Sequence, residues 1–226
     1  MRWLSSRQAP RRASVLAAAM ICMAGGGLAA VTAPAASAAT CANVDVVVAR
    51  GTFEPGTLGW IVGDPVYSAL RAALAGLSAT AYPVNYPAGL IEPASVDQGN
   101  TDLVSHVTSQ AAACPGEQFI LVGYSQGANV VDNSIGISSD GALVGGPIVA
   151  TIPASLQPRI AAILLFGNPI RAIGRSVTGV YASRTDDFCA FQDPICQPGG
   201  TNILAHLSYG SDATTAAAFA ATLVRR

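Results

Sequence analysis

The chain has 226 residues, with 12 basic and 13 acidic side chains, a formal net charge of −1 and 51% hydrophobic residues. None of the basic residues is lysine. This balance disfavours nucleic acid and anionic membrane surfaces as partners, and the length suits one domain.

Met1 to Thr40 read as an export signal. Arg2, Arg7, Arg11 and Arg12 form a positive start, Ala13 to Val31 an apolar stretch, and Ala36-Ser37-Ala38 a small-residue cleavage site. An uncleaved anchor is the alternative, and Arg11-Arg12 also allows twin-arginine export. Cleavage near Ala38 or Ala39 leaves residues 40–226, about 187 residues, as the domain. Removing the four signal arginines leaves 8 basic against 13 acidic residues, a net charge of −5. No later apolar run is long enough to span a membrane.

Short β-rich runs then alternate with helical stretches. Val44 to Ala49 is nearly all apolar, as expected of a strand buried on both faces. Asp64 as N-cap and Pro65 open a helix to about Leu77. A second strand is expected over Ala79 to Tyr86. A helix over Ser95 to Ala113 ends at Cys114-Pro115-Gly116. Gln118 to Val122 and Ile160 to Phe166 read as strands, Ala128 to Ile135 as a helix start, Val177 to Ala182 as a fifth strand, and Asp212 to Val224 as a closing helix. Gly136 to Pro158 reads as a surface connection, with a flap beside the site as the alternative. Alternating strands and helices predict a parallel sheet covered on both faces, a three-layer α/β/α sandwich. In such sheets ligands bind beyond the carboxyl ends of the strands.

Cys22 leaves with the signal, and Cys41, Cys114, Cys189 and Cys196 remain. An even number in an exported chain points to two disulfides. Of the three possible pairings, Cys189–Cys196 as a short loop with Cys41–Cys114 is preferred. No Cys-x-x-Cys and no nearby pair of histidines supports a metal site.

Gly123-Tyr-Ser-Gln-Gly127 places one serine between two glycines, after an apolar strand and before a helix. The pattern is weak alone, but this context is what a nucleophile elbow requires. The turn exposes the Ser125 hydroxyl, and the helix start aims N–H groups at a developing oxyanion. A serine so aimed needs a base. There are two histidines. His106 lies inside a predicted helix and reads as an ordinary helix-face residue. His206 comes late, as the order Ser, acid, His of α/β hydrolases demands. The acid should lie between Ser125 and His206, where Asp132, Asp140, Asp186, Asp187 and Asp193 are candidates. Asp193 is preferred, because a Cys189–Cys196 loop would hold its carboxylate where it can orient an imidazole.

The elbow GYSQG, ARGTFEPG at 49–56, FGNP at 166–169, CAFQDPIC at 189–196 and the histidine of AHLSY together resemble the cutinase family of serine esterases, in particular the secreted cutinase-like proteins of actinobacteria. The resemblance runs over most of Cys41 to Tyr209. It implies an α/β-hydrolase-like sandwich with a five-stranded, mainly parallel sheet and two disulfides. It also implies a triad of Ser125, Asp193 and His206, with an oxyanion hole from the Gln126 N–H and from Thr52. The reaction it implies is ester hydrolysis through an acyl-enzyme, with an ester substrate and no metal or organic cofactor. A secreted monomer is the default.

Rival readings stay within reach of the same residues. An acetylxylan esterase, or a lipid, phospholipid or thioester hydrolase, would carry the same triad. Leu90, Ile91, Ile195, Ile203 and Leu204, expected around the mouth, favour acyl chains over acetylated sugar. A catalytically vestigial, cell-wall-associated binding protein is the reading outside the enzymes. The intact Ser, Asp and His set opposes it, as does the presence of one tryptophan, Trp60, beyond the signal.

Overall fold

The structure, a computed structural model, describes residues 41–225. The expected export signal, its expected cleavage site and Cys22 fall outside the described residues.

Five strands form one sheet, in the order β2-β1-β3-β4-β5, and every neighbouring pair is parallel. They are β1 Val44–Ala49, β2 Ala79–Pro83, β3 Gln118–Tyr124, β4 Ile160–Phe166 and β5 Thr185–Phe188. The helices are α1 Gly63–Ala73, α2 Ala94–Ala113, α3 Gln126–Ser134, the short α4 Ile203–His206 and α5 Ala213–Leu223.

The three central strands are buried on both faces, which explains their unbroken apolar runs. Side chains alternate along each strand, so each strand feeds two cores. Val46, Val48, Ile120, Val122, Leu164 and Phe166 pack under α1 and α5. Val47, Ala49, Phe119, Leu121, Ile163 and Leu165 pack under α2 and α3. The small residues Ala213, Ala216, Ala217 and Ala220 form the buried stripe of α5.

Three sequence expectations are corrected. The fifth strand is Thr185–Phe188; Val177 to Ala182 instead run into a 3-10 turn at Gly179–Arg184. The buried residue there is Tyr181, while the guanidinium of Arg184 bonds the carbonyls of Val180, Gln157 and Ile160 and closes the turn. The real strand, Thr-Asp-Asp-Phe, pairs on one side alone, against β4, so nothing forces it to be apolar. The N-cap of α1 is Val62; Asp64 lies in the first turn, where its charge still suits the helix dipole, and its N–H reaches the Gly59 carbonyl (2.8 Å). Pairing of β2 stops at Pro83, short of Tyr86.

A disulfide joins Cys41 to Cys114 at the end of α2, and a second joins Cys189 to Cys196. No helix among the described residues is long and apolar enough to cross a membrane.

Candidate active site

Ser125 sits where β3 passes into α3. Its backbone is at φ 54°, ψ −119°, a region non-glycine residues rarely adopt. The turn is held by Ser125 N–H to the Phe166 carbonyl (2.9 Å) and Ala128 N–H to the Ser125 carbonyl (2.9 Å). The flanking glycines are steric requirements. A methyl on Gly123 would fall 2.6 Å from the Gly127 carbonyl oxygen, and one on Gly127 would fall 2.7 Å from the Arg50 carbonyl oxygen. This lets α3 start against the end of β1.

Asp193 is wholly buried in the Cys189–Cys196 loop. Its Oδ1 accepts from Ile195 N–H (2.8 Å). Its Oδ2 faces His206 Nδ1 (2.8 Å) and accepts from the Tyr209 hydroxyl (2.5 Å). The same hydroxyl accepts from Ala190 N–H (3.0 Å). Burial, and next the adjacent Asp193 carboxylate, push the Tyr209 phenol far up, so it stays a donor. His206 ends α4, whose N-cap Asn202 accepts from Leu204 N–H (3.1 Å). The Tyr124 hydroxyl holds the His206 carbonyl (2.7 Å). Gly167, at φ 56°, leaves room for the imidazole: a methyl there would lie 2.6 Å from its Cε1. A carboxylate on Nδ1 fixes the tautomer and leaves Nε2 for a proton.

Ser125 and His206 line one cavity of 450 Å³ with Thr52, Glu54, Tyr124 and a set of apolar residues. No hydrogen bond joins Ser125 to His206 among the described residues; catalytic bonds of this kind often tighten only with substrate bound. The apolar lining is Phe53, Leu90, Leu143, Val144, Ile195 and Leu207, among others. Leu90 and Ile195 thus stand where the sequence placed them. Ile91, Ile203 and Leu204 are exposed but do not line the cavity.

Thr52 follows β1 and also lines the cavity. Its loop is shaped by Glu54, a buried carboxylate that accepts from Gly51 N–H (2.7 Å), Ile61 N–H (2.7 Å) and Val62 N–H (3.3 Å). Burial raises the Glu54 pKa against the pull of those N–H groups and of Arg50. The Gln126 side chain is buried too. Its amide donates to the Gly89 carbonyl (2.6 Å) and to Glu92 (2.5 Å), and accepts from Ser95 (2.9 Å). The elbow is thereby tied to the loop carrying Leu90.

The remaining candidates lie elsewhere. His106 pairs with Asp45 (2.6 Å) at the start of β1 and stacks on Tyr82, at the opposite end of the sheet from Ser125. Asp132 is buried inside α3, Asp140 is in the connection after it, and Asp186 and Asp187 lie within β5. Among the described residues no three of His, Cys, Asp and Glu converge as a cation cage.

The sequence reading missed Tyr209, Glu54, Gly167 and the pair Leu143–Val144. Tyr209 and Gly167 belong to the quoted AHLSY and FGNP stretches, but only the folded chain brings them to His206 and Asp193.

The family model described as Cutinase matches residues 40–224. The chain belongs to the cutinase family. Among curated relatives, a cutinase of Kineococcus radiotolerans is 42% identical over 83% of this chain, which spans 64% of that protein's length. A cutinase of Botryotinia fuckeliana is 39% identical, covering 80% of this chain and 83% of its own. Carboxylesterase Culp1 of Mycobacterium tuberculosis is 37% identical, covering 86% and 89%. Among solved structures, a Trichoderma reesei cutinase bound to a phosphonate inhibitor superposes with TM-score 0.68 at 34% identity, over 82% of this chain and 78% of that one. An acetyl xylan esterase superposes with TM-score 0.70 at 25% identity, over 82% and 100%. Family membership makes this a member of a group of carboxylic ester hydrolases on an α/β-hydrolase-like fold.

Proposed function

We propose that the protein is an exported serine esterase that hydrolyses short- to medium-chain acyl esters, including cutin or polyester-like substrates, through Ser125, His206 and Asp193. The observation that carries the reading is one arrangement: a buried Asp193–His206 pair opening on the same apolar-walled cavity as a serine at a strained elbow.

Ser125 Oγ attacks the ester carbonyl while His206 Nε2 takes its proton. Asp193 keeps the imidazole in the required tautomer and stabilises the cation that forms. The oxyanion is received by the Gln126 N–H at the start of α3 and by Thr52, donors of which each is typically worth about 2.7–4 kcal/mol of barrier. His206 returns the proton to the departing alcohol. Water, activated by the same imidazole, then releases the acid from Ser125. No step calls for a metal or an organic cofactor.

Residues 1–39 act as the export signal in this reading, and the two disulfides of the domain suit an oxidising destination. Both faces of the sheet are covered by the chain's own helices, which suits a monomer.

The test is hydrolysis of p-nitrophenyl esters from acetate to palmitate, with Ser125→Ala alongside. A maximum at butyrate to octanoate that is lost in the variant is expected. A maximum confined to acetate would favour deacetylation of a polysaccharide. Unchanged turnover in Ser125→Ala would remove the assignment, and inactivity at every length would favour a binding protein.

A further inference from the structure

Val144 is a β-branched residue at φ 45°. Glycine takes that conformation freely; valine does not. Glycines stand nearby at 141, 145 and 146, but not at the strained position. Such strain persists where the surroundings over-determine it, and it clusters at functional sites.

The surroundings here are two asparagines of α3. Asn129, wholly buried one turn beyond Ser125, donates its amide to the carbonyls of Leu143 (2.9 Å) and Val144 (3.0 Å). In an extended chain successive carbonyls point to opposite sides. One amide meets both only if the backbone turns between them, as it does at Val144. One turn on, Asn133 donates to the carbonyls of Gly146 (3.1 Å) and Pro147 (3.0 Å), and accepts from Ser139 N–H (2.8 Å). The connection after α3 is therefore riveted to the helix that begins at the elbow. Its side chains Leu143 and Val144 line the cavity of Ser125 and His206, and Leu143 is 57% exposed there.

We propose that Leu143 and Val144 form a fixed apolar wall that contacts the hydrocarbon chain of the ester and sets its length preference, with Asn129 as the positioning residue. The inference rests on the esterase reading above. A flexible flap would close on any chain; a wall held by four amide hydrogen bonds selects among them.

The experiment compares kcat/KM for p-nitrophenyl octanoate with that for the acetate, and for octyl acetate with ethyl acetate. It uses the wild type, Leu143→Ala, Val144→Gly and Asn129→Ala. Each ratio is independent of the fraction folded, because both esters meet the same active molecules. The long-to-short ratio is expected to fall about tenfold in all three variants, in the acyl or the alcohol series, as loss of an apolar contact dictates. Which series responds identifies the chain that lies on the wall. Ratios within about twofold of wild type in both series, or higher, for Leu143→Ala and Val144→Gly would overturn the wall. An unchanged ratio in Asn129→Ala alone would overturn its positioning role. A wild-type protein inactive on all four esters would overturn the esterase reading itself, and the inference with it.

Discussion

Tyr209 donates its hydroxyl to Asp193 Oδ2, the same oxygen that faces His206 Nδ1. The acid of the proposed triad is thus shared between the imidazole and a phenol three residues further along the chain. Removing the phenol's proton leaves a buried carboxylate with one partner fewer on that oxygen. Its negative charge then falls more heavily on the imidazole.

Tyr209→Phe is therefore expected to move the low-pH limb of kcat/KM upward, since a less satisfied Asp193 favours the protonated imidazole. The fold should lose about 1.5–3 kcal/mol, the range for hydrogen bonds to charged groups. A pH–rate profile and urea denaturation check the two effects separately. An acid limb at the wild-type position would show that the phenol is merely structural.

Gly167→Ala tests the fit of the imidazole. The added methyl meets His206 Cε1 at 2.6 Å and Nδ1 at 2.7 Å, on a backbone already at φ 56°. The ring must move, and a displacement near 1 Å typically costs about 10²-fold in rate. Loss of kcat with near-unchanged KM is expected, with circular dichroism reporting the retained fold.

Glu54→Gln probes the loop that carries Thr52. The amide replaces one acceptor with a donor that faces the N–H of Gly51 or of Ile61 and Val62. A buried unsatisfied donor costs about 1–3 kcal/mol. Because the loop supplies part of the proposed oxyanion site, kcat should fall more than KM rises. Steady-state kinetics with one mid-length ester decides this.

Asp132→Asn addresses stability against pH. Asp132 is wholly buried, and burial followed by the charge of Asp187 raises its pKa well above the ordinary value, against the pull of the Asn168 side chain. Burial likewise lifts Asp187 to about 6, against the pull of Arg171. A carboxyl raised on folding binds more protons folded than unfolded between its two pKa values, so stability falls as pH rises through that window. For Asp187 the window runs from 3.8 to about 6; for Asp132 it opens at 3.8 and reaches well above that value. A neutral amide in place of the Asp132 carboxyl would carry no such cost. The variant should melt several degrees higher than wild type at pH 8, each kcal/mol being about 2–4 °C for a domain of this size. The gain should vanish near pH 4. Melting curves across that range test it, and a gain constant with pH would contradict the ionisation account.

The three buried strands were legible because burial on both faces forces continuous apolar runs. The pairing of Asp193 with His206 was legible because a short cysteine loop and the chain order narrow the choice. Asp187 and β5 were not, because an edge strand with one neighbour can be polar. Tyr209, Gly167 and Glu54 act through closeness that arises only when distant segments meet. The connection after α3 reads as plain Gly- and Pro-rich sequence. What makes Leu143 and Val144 part of the site is Asn129, whose role is invisible until α3 is placed.

The order of the sheet matters beyond catalysis. Its two outer strands, β2 and β5, are the shortest, at five and four residues. One ends in Pro83, which has no N–H to offer, and the other carries Asp186 and Asp187. Short, proline-ended or charged margins are poor templates for a further strand. Two copies meeting edge to edge at high concentration would therefore find little to pair with, so the apolar strands of the middle do not become a route to fibres.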